Sequence, residues 1–262
     1  MRVRRPAVAG SFYPGDPGEL RAMVEEQLAA ALVNATGAVP KALIVPHAGY
    51  VYSGPIAASA YARLSSARAT IRRVVLLGPS HHVAVRGLAA TSADVFLTPL
   101  GEVAIDREAV ERSLALPQVR LADGPHREEH SLEVQLPFLQ CVLDDFALLP
   151  FAVGEATTGE VAALLDLLWG GDETLLLVSS DLSHYHDYAS ARKLDAATTR
   201  AIEALDPAAL DFESACGRVP VRGLLQAAAQ HGLRANTIDL RSSGDTAGPR
   251  DRVVGYGAYA FA

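Results

Sequence analysis

Cysteine is scarce in this chain of 262 residues: Cys141 and Cys216 are all there is. Two thiols build neither a disulfide scaffold nor a four-cysteine zinc site. Lysine is as rare, with Lys41 and Lys193 alone, so arginine carries nearly all the positive charge. Positive charge is the minority sign: 23 Lys and Arg face 30 Asp and Glu, a formal net charge of −7. A general nucleic-acid binder has a basic balance, and so does a protein that sits on anionic lipid; neither partner is expected. No apolar run approaches the roughly 18 residues that a membrane helix needs. Met1 to Tyr13 lacks the apolar stretch of a secretory signal. A soluble, cytoplasmic protein is expected.

What is present is ordinary globular composition, 50% apolar and 20% charged, enough to bury a sizeable core. We find no internal repeat and no Gly/Ser/Pro-rich break, so residues 1–262 read as one domain; the Ala-rich stretch Leu28 to Ala35 belongs to a helical pattern.

Short apolar runs alternate with helical patterns. Asp16-Pro17 is a capping residue followed by Pro at the first helical position, and Leu20, Met23, Val24, Leu28 and Leu32 continue that helix. Strands are expected at 42–45, 74–77, 147–153 and 175–178. Ser53-Gly54-Pro55 reads as the start of a second helix, and 131–143, 160–169, 189–205 and 221–230 as further helices. Residues 95–105 look like an inserted β-hairpin. Strands at 237–241 and 253–261 close the chain, an antiparallel pair that would make the sheet mixed. The expected fold is α/β, a central, mostly parallel sheet with helices on both faces.

Ligands of open α/β sheets bind at the carboxyl ends of the strands. Three strands here run into histidines: Pro46-His47-Ala48-Gly49-Tyr50, Gly78-Pro79-Ser80-His81-His82, and Ser179-Ser180-Asp181-Leu182-Ser183-His184-Tyr185-His186. A lone histidine after a strand is usually structural. Three such ends on one sheet edge point to a metal or acid/base site, because neutral imidazole ligates zinc, iron or copper and titrates near neutrality. Alternation along an extended segment would turn His82 away if His81 faces the metal. In Glu129-His130-Ser131-Leu132-Glu133, His130 and Glu133 share a helical face. Either the carboxylate orients the imidazole or the acids only cap a helix start. The Gly-rich loop Arg241 to Gly248 is a turn by itself; folded over the histidine edge, its Asp245 would complete a two-histidine, one-carboxylate set. Walker, Gly-x-Gly-x-x-Gly, His-Glu-x-x-His and Gly-x-Ser-x-Gly motifs are absent. Cys216 reads as buried and inert, since nothing near it in sequence marks a thiolate.

These segments, together with Ala7-Val8-Ala9-Gly10-Ser11-Phe12-Tyr13-Pro14 and Cys216-Gly217-Arg218, occur in the order of a known family. The chain resembles the Memo family, whose prokaryotic members are called AmmeMemoRadiSam system protein B, over essentially its whole length. The resemblance implies a fold similar to the LigB-type, class III extradiol dioxygenases, with a metal centre at the carboxyl edge. By position His47 and His81 match the family's two metal-binding histidines. Eukaryotic members supply a cysteine from the C-terminal loop and LigB-type enzymes a glutamate. This loop has neither, so Asp245 is the expected third ligand. The implied cofactor is a divalent metal, Fe(II) first because a carboxylate suits it, with Cu or Zn as alternatives. His130, Asp181 and His184 match polar residues around the family's site; His184 or His130 would be the general acid or base, and Asp181 would orient an imidazole. A metal-dependent redox enzyme is the first functional reading and a peptide- or protein-binding module on an enzyme fold the second. A hydrolase using metal-bound hydroxide is the third. A small-molecule or peptide ligand and partner proteins of a radical-SAM system are implied.

Overall fold

The computed structural model describes residues 1–33 and 37–262. Its central sheet places nine strands in the order His184–His186, Val253–Phe261, Ala42–Val45, Thr174–Ser179, Arg73–Pro79, Ala147–Val153, Leu88–Ala90 and Val119–Leu121, with Ala235–Ser242 paired to Val253–Phe261 off this path. The four inner strands, from Ala42–Val45 to Ala147–Val153, are parallel. Their side chains are buried almost throughout, which explains why they read as unbroken apolar runs and not as alternations. The C-terminal strand runs antiparallel to Ala42–Val45 and to Ala235–Ser242, so the sheet is mixed. Helices Pro17–Leu32, Tyr50–Tyr61 and Leu136–Val142 pack together on one side, and Thr158–Leu167 against Arg218–Gln230 on the other. One buried apolar cluster runs from Tyr13 to Phe261. This is the expected α/β architecture.

Local signals fare unevenly. Asp16 does cap the first helix, its Oδ1 accepting from the backbone N of Gly18 and Glu19. That helix ends at Leu32; residues 34–36, where its Ala-rich continuation was expected, lie outside the described residues. The second helix starts at Tyr50, three residues before the expected Ser53, and holds Pro55 inside. Ser53 is no cap: its hydroxyl donates to the carbonyl of Ala48 at 2.8 Å. The 131–143 helix is two short ones, His130–Glu133 and Leu136–Val142, the second with Pro in its first turn. The expected hairpin is there as Val95–Thr98 and Gly101–Ala104, joined by Val3–Arg4 in a separate three-stranded sheet. The edge strands Val119–Leu121 and His184–His186, and Leu88–Ala90 next to one edge, are three residues each, too short to show a period.

Candidate metal centre

The strands Ala42–Val45 and Arg73–Pro79 flank Thr174–Ser179 in the sheet. Chain leaving their carboxyl ends therefore meets in one place, and His47, His81 and the turn after Ser179 converge there. The His47 and His81 ring centroids lie 5.3 Å apart, and His130 joins them at 5.4 Å and 4.7 Å. These rings line a cleft of 990 Å³ together with Asp181, His184 and Cys216. Phe212 and Tyr185, 73% and 63% exposed, stand on its rim.

The hydrogen-bond network sets the tautomer of both inner histidines. The hydroxyl of Ser179 donates to the carbonyl of Ser131 at 2.6 Å, so its oxygen accepts from Gln135 Nε2 at 2.8 Å and from His47 Nδ1 at 2.9 Å. Nδ1 of His47 thus carries the proton, and its Nε2 is a bare lone pair 3.2 Å from Cys216 Sγ. His81 is held alike: Nδ1 donates to Glu129 Oε1 at 2.8 Å, while its backbone N donates to Oε2 at 2.6 Å. Nε2 is again the free nitrogen. Burial, and next the neighbouring His81, push His47 down to about 3, so it is neutral and able to ligate. Burial would raise Glu129, but the hydrogen bonds and charge of His81 outweigh it and bring the carboxyl to about 2. A carboxylate behind an imidazole is the usual support of a metal-ligating histidine.

Cys216 is the residue that sequence reasoning missed. Burial and then the Asp181 carboxylate push its thiol up to about 12, so without an ion it is protonated and its S–H points at His47 Nε2. A divalent cation held there would reverse this, displacing the thiol proton to solvent. His47, His81 and Cys216 offer donor atoms all within 4.8 Å of one another, compatible with N and S bonds of about 2.0–2.3 Å to a shared ion. The donor set fits a metal. A second group, His81, Glu129 and His130, also meets that spacing, but Glu129 Oε1 is spent on the His81 ring. Gly217 permits the cysteine's approach: a Cβ there would lie 2.7 Å from Ser180 Cβ and Oγ and 2.9 Å from the Ser179 carbonyl oxygen.

The other expected residues divide. Asp181 is at the site, but its Oδ1 accepts from the backbone N of His47 at 2.7 Å and fixes the main chain, not a ring. His184 lines the cleft; its Nδ1 donates to the Leu182 carbonyl at 2.8 Å, leaving Nε2 bare. His130 stacks on His81 and packs tilted against Phe12, and burial, then the neighbouring His47, lower it to about 4, a neutral base and not an acid at pH 7. Glu133 does not orient His130: it pairs with Arg4 and accepts from the backbone N of Ala7 and Val8. Asp245 is not brought to the histidines. Its Oδ2 accepts from the backbone N and hydroxyl of Ser242, and its Oδ1 from Tyr188, which makes it the cap of its own short turn. His82 is exposed, but it does not turn fully away as expected: its ring centroid lies 6.1 Å from that of His130, because residues 81–83 form a bend and not an alternating strand.

An α/β protein with two supported imidazoles and a thiol at a sheet edge is thereby defined. The Memo-like protein family model matches residues 4–260. The chain belongs to the Memo-like family. It is 38% identical over 267 residues to a MEMO1 family protein of Aquifex aeolicus, covering 98% of each chain. It is equally 38% identical over 276 residues to one of Archaeoglobus fulgidus, covering 99% of each. Among solved structures it is similar to the uncharacterized protein JW3007 from Escherichia coli K12, with a TM-score of 0.52 and 12% identity over 84% of this chain and 98% of that one, a likeness of fold alone.

Proposed function

We propose that the protein is a metal-dependent oxidoreductase whose ion is held by His47, His81 and Cys216. The observation that supports this most is the pair of imidazoles whose Nδ1 protons are both spent, on Ser179 and Glu129, leaving two Nε2 lone pairs beside one thiol. A thiolate in place of Asp245 removes the reason to rank Fe(II) above copper; two imidazoles and one thiolate suit iron, copper and zinc alike. A bound iron or copper ion supplies electron transfer and Lewis acidity. The chain's own residues do the rest. Asp181 and Glu129 hold the main chain of His47 and His81 in place. His184 Nε2, bare and facing the cleft, accepts a proton from a bound ligand. The aromatic rim receives an organic small molecule or a peptide side chain.

A cytoplasmic location belongs to this reading, because a thiol ligand needs reducing surroundings and both cysteines are free; no helix among the described residues is long and apolar enough to cross a membrane. Partner proteins of a radical-SAM system belong to it through the family resemblance. The test is anaerobic purification with elemental analysis, then oxygen uptake with an added reductant. One equivalent of iron or copper in wild type, lost in His81→Ala and Cys216→Ser, is expected. Retention of metal in both variants would sink the site.

The rim residues Phe212 and Tyr185, large and exposed at one cleft, favour a second reading, a binding module with no chemistry. That reading gains if ligand affinity survives loss of the metal.

A further inference from the structure

A second cleft, of 1070 Å³, shares Cys216 as a lining residue with the histidine cleft. Its walls carry Arg86, Arg120, Arg218 and Arg222. Among the described residues none of these is in an ion pair. The Nε of Arg222 is buried without any hydrogen-bond partner, a state that costs free energy unless something occupies it. Glu155 and Glu160 share the walls, but Glu160 Oε2 is taken by the backbone N and hydroxyl of Thr157. Guanidiniums outnumber carboxylates, in a chain whose net charge is −7.

Arg218 and Arg222 stand four apart on one helix, so two like charges face the same way. The amino end of that helix opens on the cleft at Val219; the Arg218 N–H already donates to the Ala215 carbonyl and Pro220 has none, so Val219 supplies the amide that faces an incoming anion. Positive helix end, paired like charges and an orphaned guanidinium nitrogen all lack the same thing, a multiply charged anion. Arginine forks match phosphate oxygens two at a time, and a helix amino end adds amide donors.

We propose that this cleft is a binding site for a phosphate-bearing small molecule with more than one negative charge, held by Arg86, Arg120, Arg218 and Arg222. The site meets the metal-ligand set only at Cys216, uses none of its side chains to hold the anion, and does not depend on the redox reading. Inorganic pyrophosphate is the probe, titrated calorimetrically into the purified protein at constant ionic strength, with inorganic phosphate as the less charged comparison. One saturable equivalent is expected, bound at least tenfold more tightly than phosphate. Arg120→Gln/Arg222→Gln should weaken it tenfold or more. Arg112→Gln, on a different helix, and His81→Ala, at the metal centre, should not. Glu155→Gln should tighten it, a gain that misfolding does not produce. Absent or unsaturable binding, undiminished binding in the double arginine variant, or equal loss in Arg112→Gln would overturn the site. So would loss in His81→Ala, which assigns the pyrophosphate to the metal ion.

Discussion

Glu129 grips His81 at two points, Oε1 on the ring Nδ1 at 2.8 Å and Oε2 on the backbone N at 2.6 Å. One carboxylate therefore sets both the position and the tautomer of the imidazole. Glu129→Gln keeps the shape but turns one acceptor into a donor. Metal affinity should fall about 10–100-fold, measured by competition with a chromophoric chelator, while the far-UV circular dichroism stays that of wild type. Unchanged affinity would mean that the pair is only structural.

Cys216 predicts a proton count. With its thiol held up near 12 by burial and by Asp181, binding as thiolate releases one proton per ion at neutral pH. Affinity should therefore rise with pH, about tenfold per unit, by one proton more in wild type than in Cys216→Ser. Calorimetry in buffers of different ionisation enthalpy reads this directly, and identical release in both proteins would remove the cysteine from the site.

Asp245→Ala should leave metal affinity unchanged, because both carboxylate oxygens serve Ser242 and Tyr188. Losing this cap should cost about 1 kcal/mol of stability in urea unfolding. A large fall in metal affinity would restore Asp245 to the ligand set.

Glu133 and Arg4 form a buried ion pair, and Glu133 also takes amide protons from Ala7 and Val8. Removing one partner of such a pair strands the other. Glu133→Ala should destabilise the fold by about 3–5 kcal/mol and release the N-terminal segment to proteolysis before the rest. A loss below 1 kcal/mol, on the scale of an exposed pair, would contradict it.

His126 supplies acid sensitivity away from the metal centre. Burial lowers it to about 4, against an unfolded value near 6.5. Between those values the unfolded chain binds a proton that the folded chain refuses, so stability falls as pH drops through that window. From pH 7 to pH 5 wild type should lose about 2 kcal/mol more than His126→Asn. Parallel urea midpoints for the two proteins would show that His126 titrates normally.

The parts that could be read in the sequence are those that sheet geometry enforces. Parallel strands buried on both faces must be apolar runs, and their carboxyl ends must lie on one edge, so His47 and His81 could be brought together from strand positions alone. Cys216 could not, because its surroundings come from elsewhere: Asp181 and His47 stand 35 and 169 residues away. Its sequence neighbours Ala215 and Gly217 say nothing of a metal. Asp245 drew attention as a carboxylate in a Gly-rich loop, yet a short acidic side chain three residues after Ser242 can cap its own turn, and it does. The role of Glu129 was equally hidden beside Glu128 and Glu133; which of the three meets His81 depends on how 128–133 turns. Pro55 misled because proline soon after a small polar residue, here Ser53, marks helix starts more often than second turns.

The separation of 169 positions between His47 and Cys216 also orders events during synthesis. A chain emerging from the ribosome displays both metal-site histidines long before its cysteine, and at that stage offers an ion two ligands and no thiolate. On the proposed ligand set, tight loading would have to wait until the strand after Cys216 has closed the sheet. A centre built on these three residues would then tie chain near one end to chain near the other, so that a bound ion would resist unfolding across about two thirds of the 262 residues.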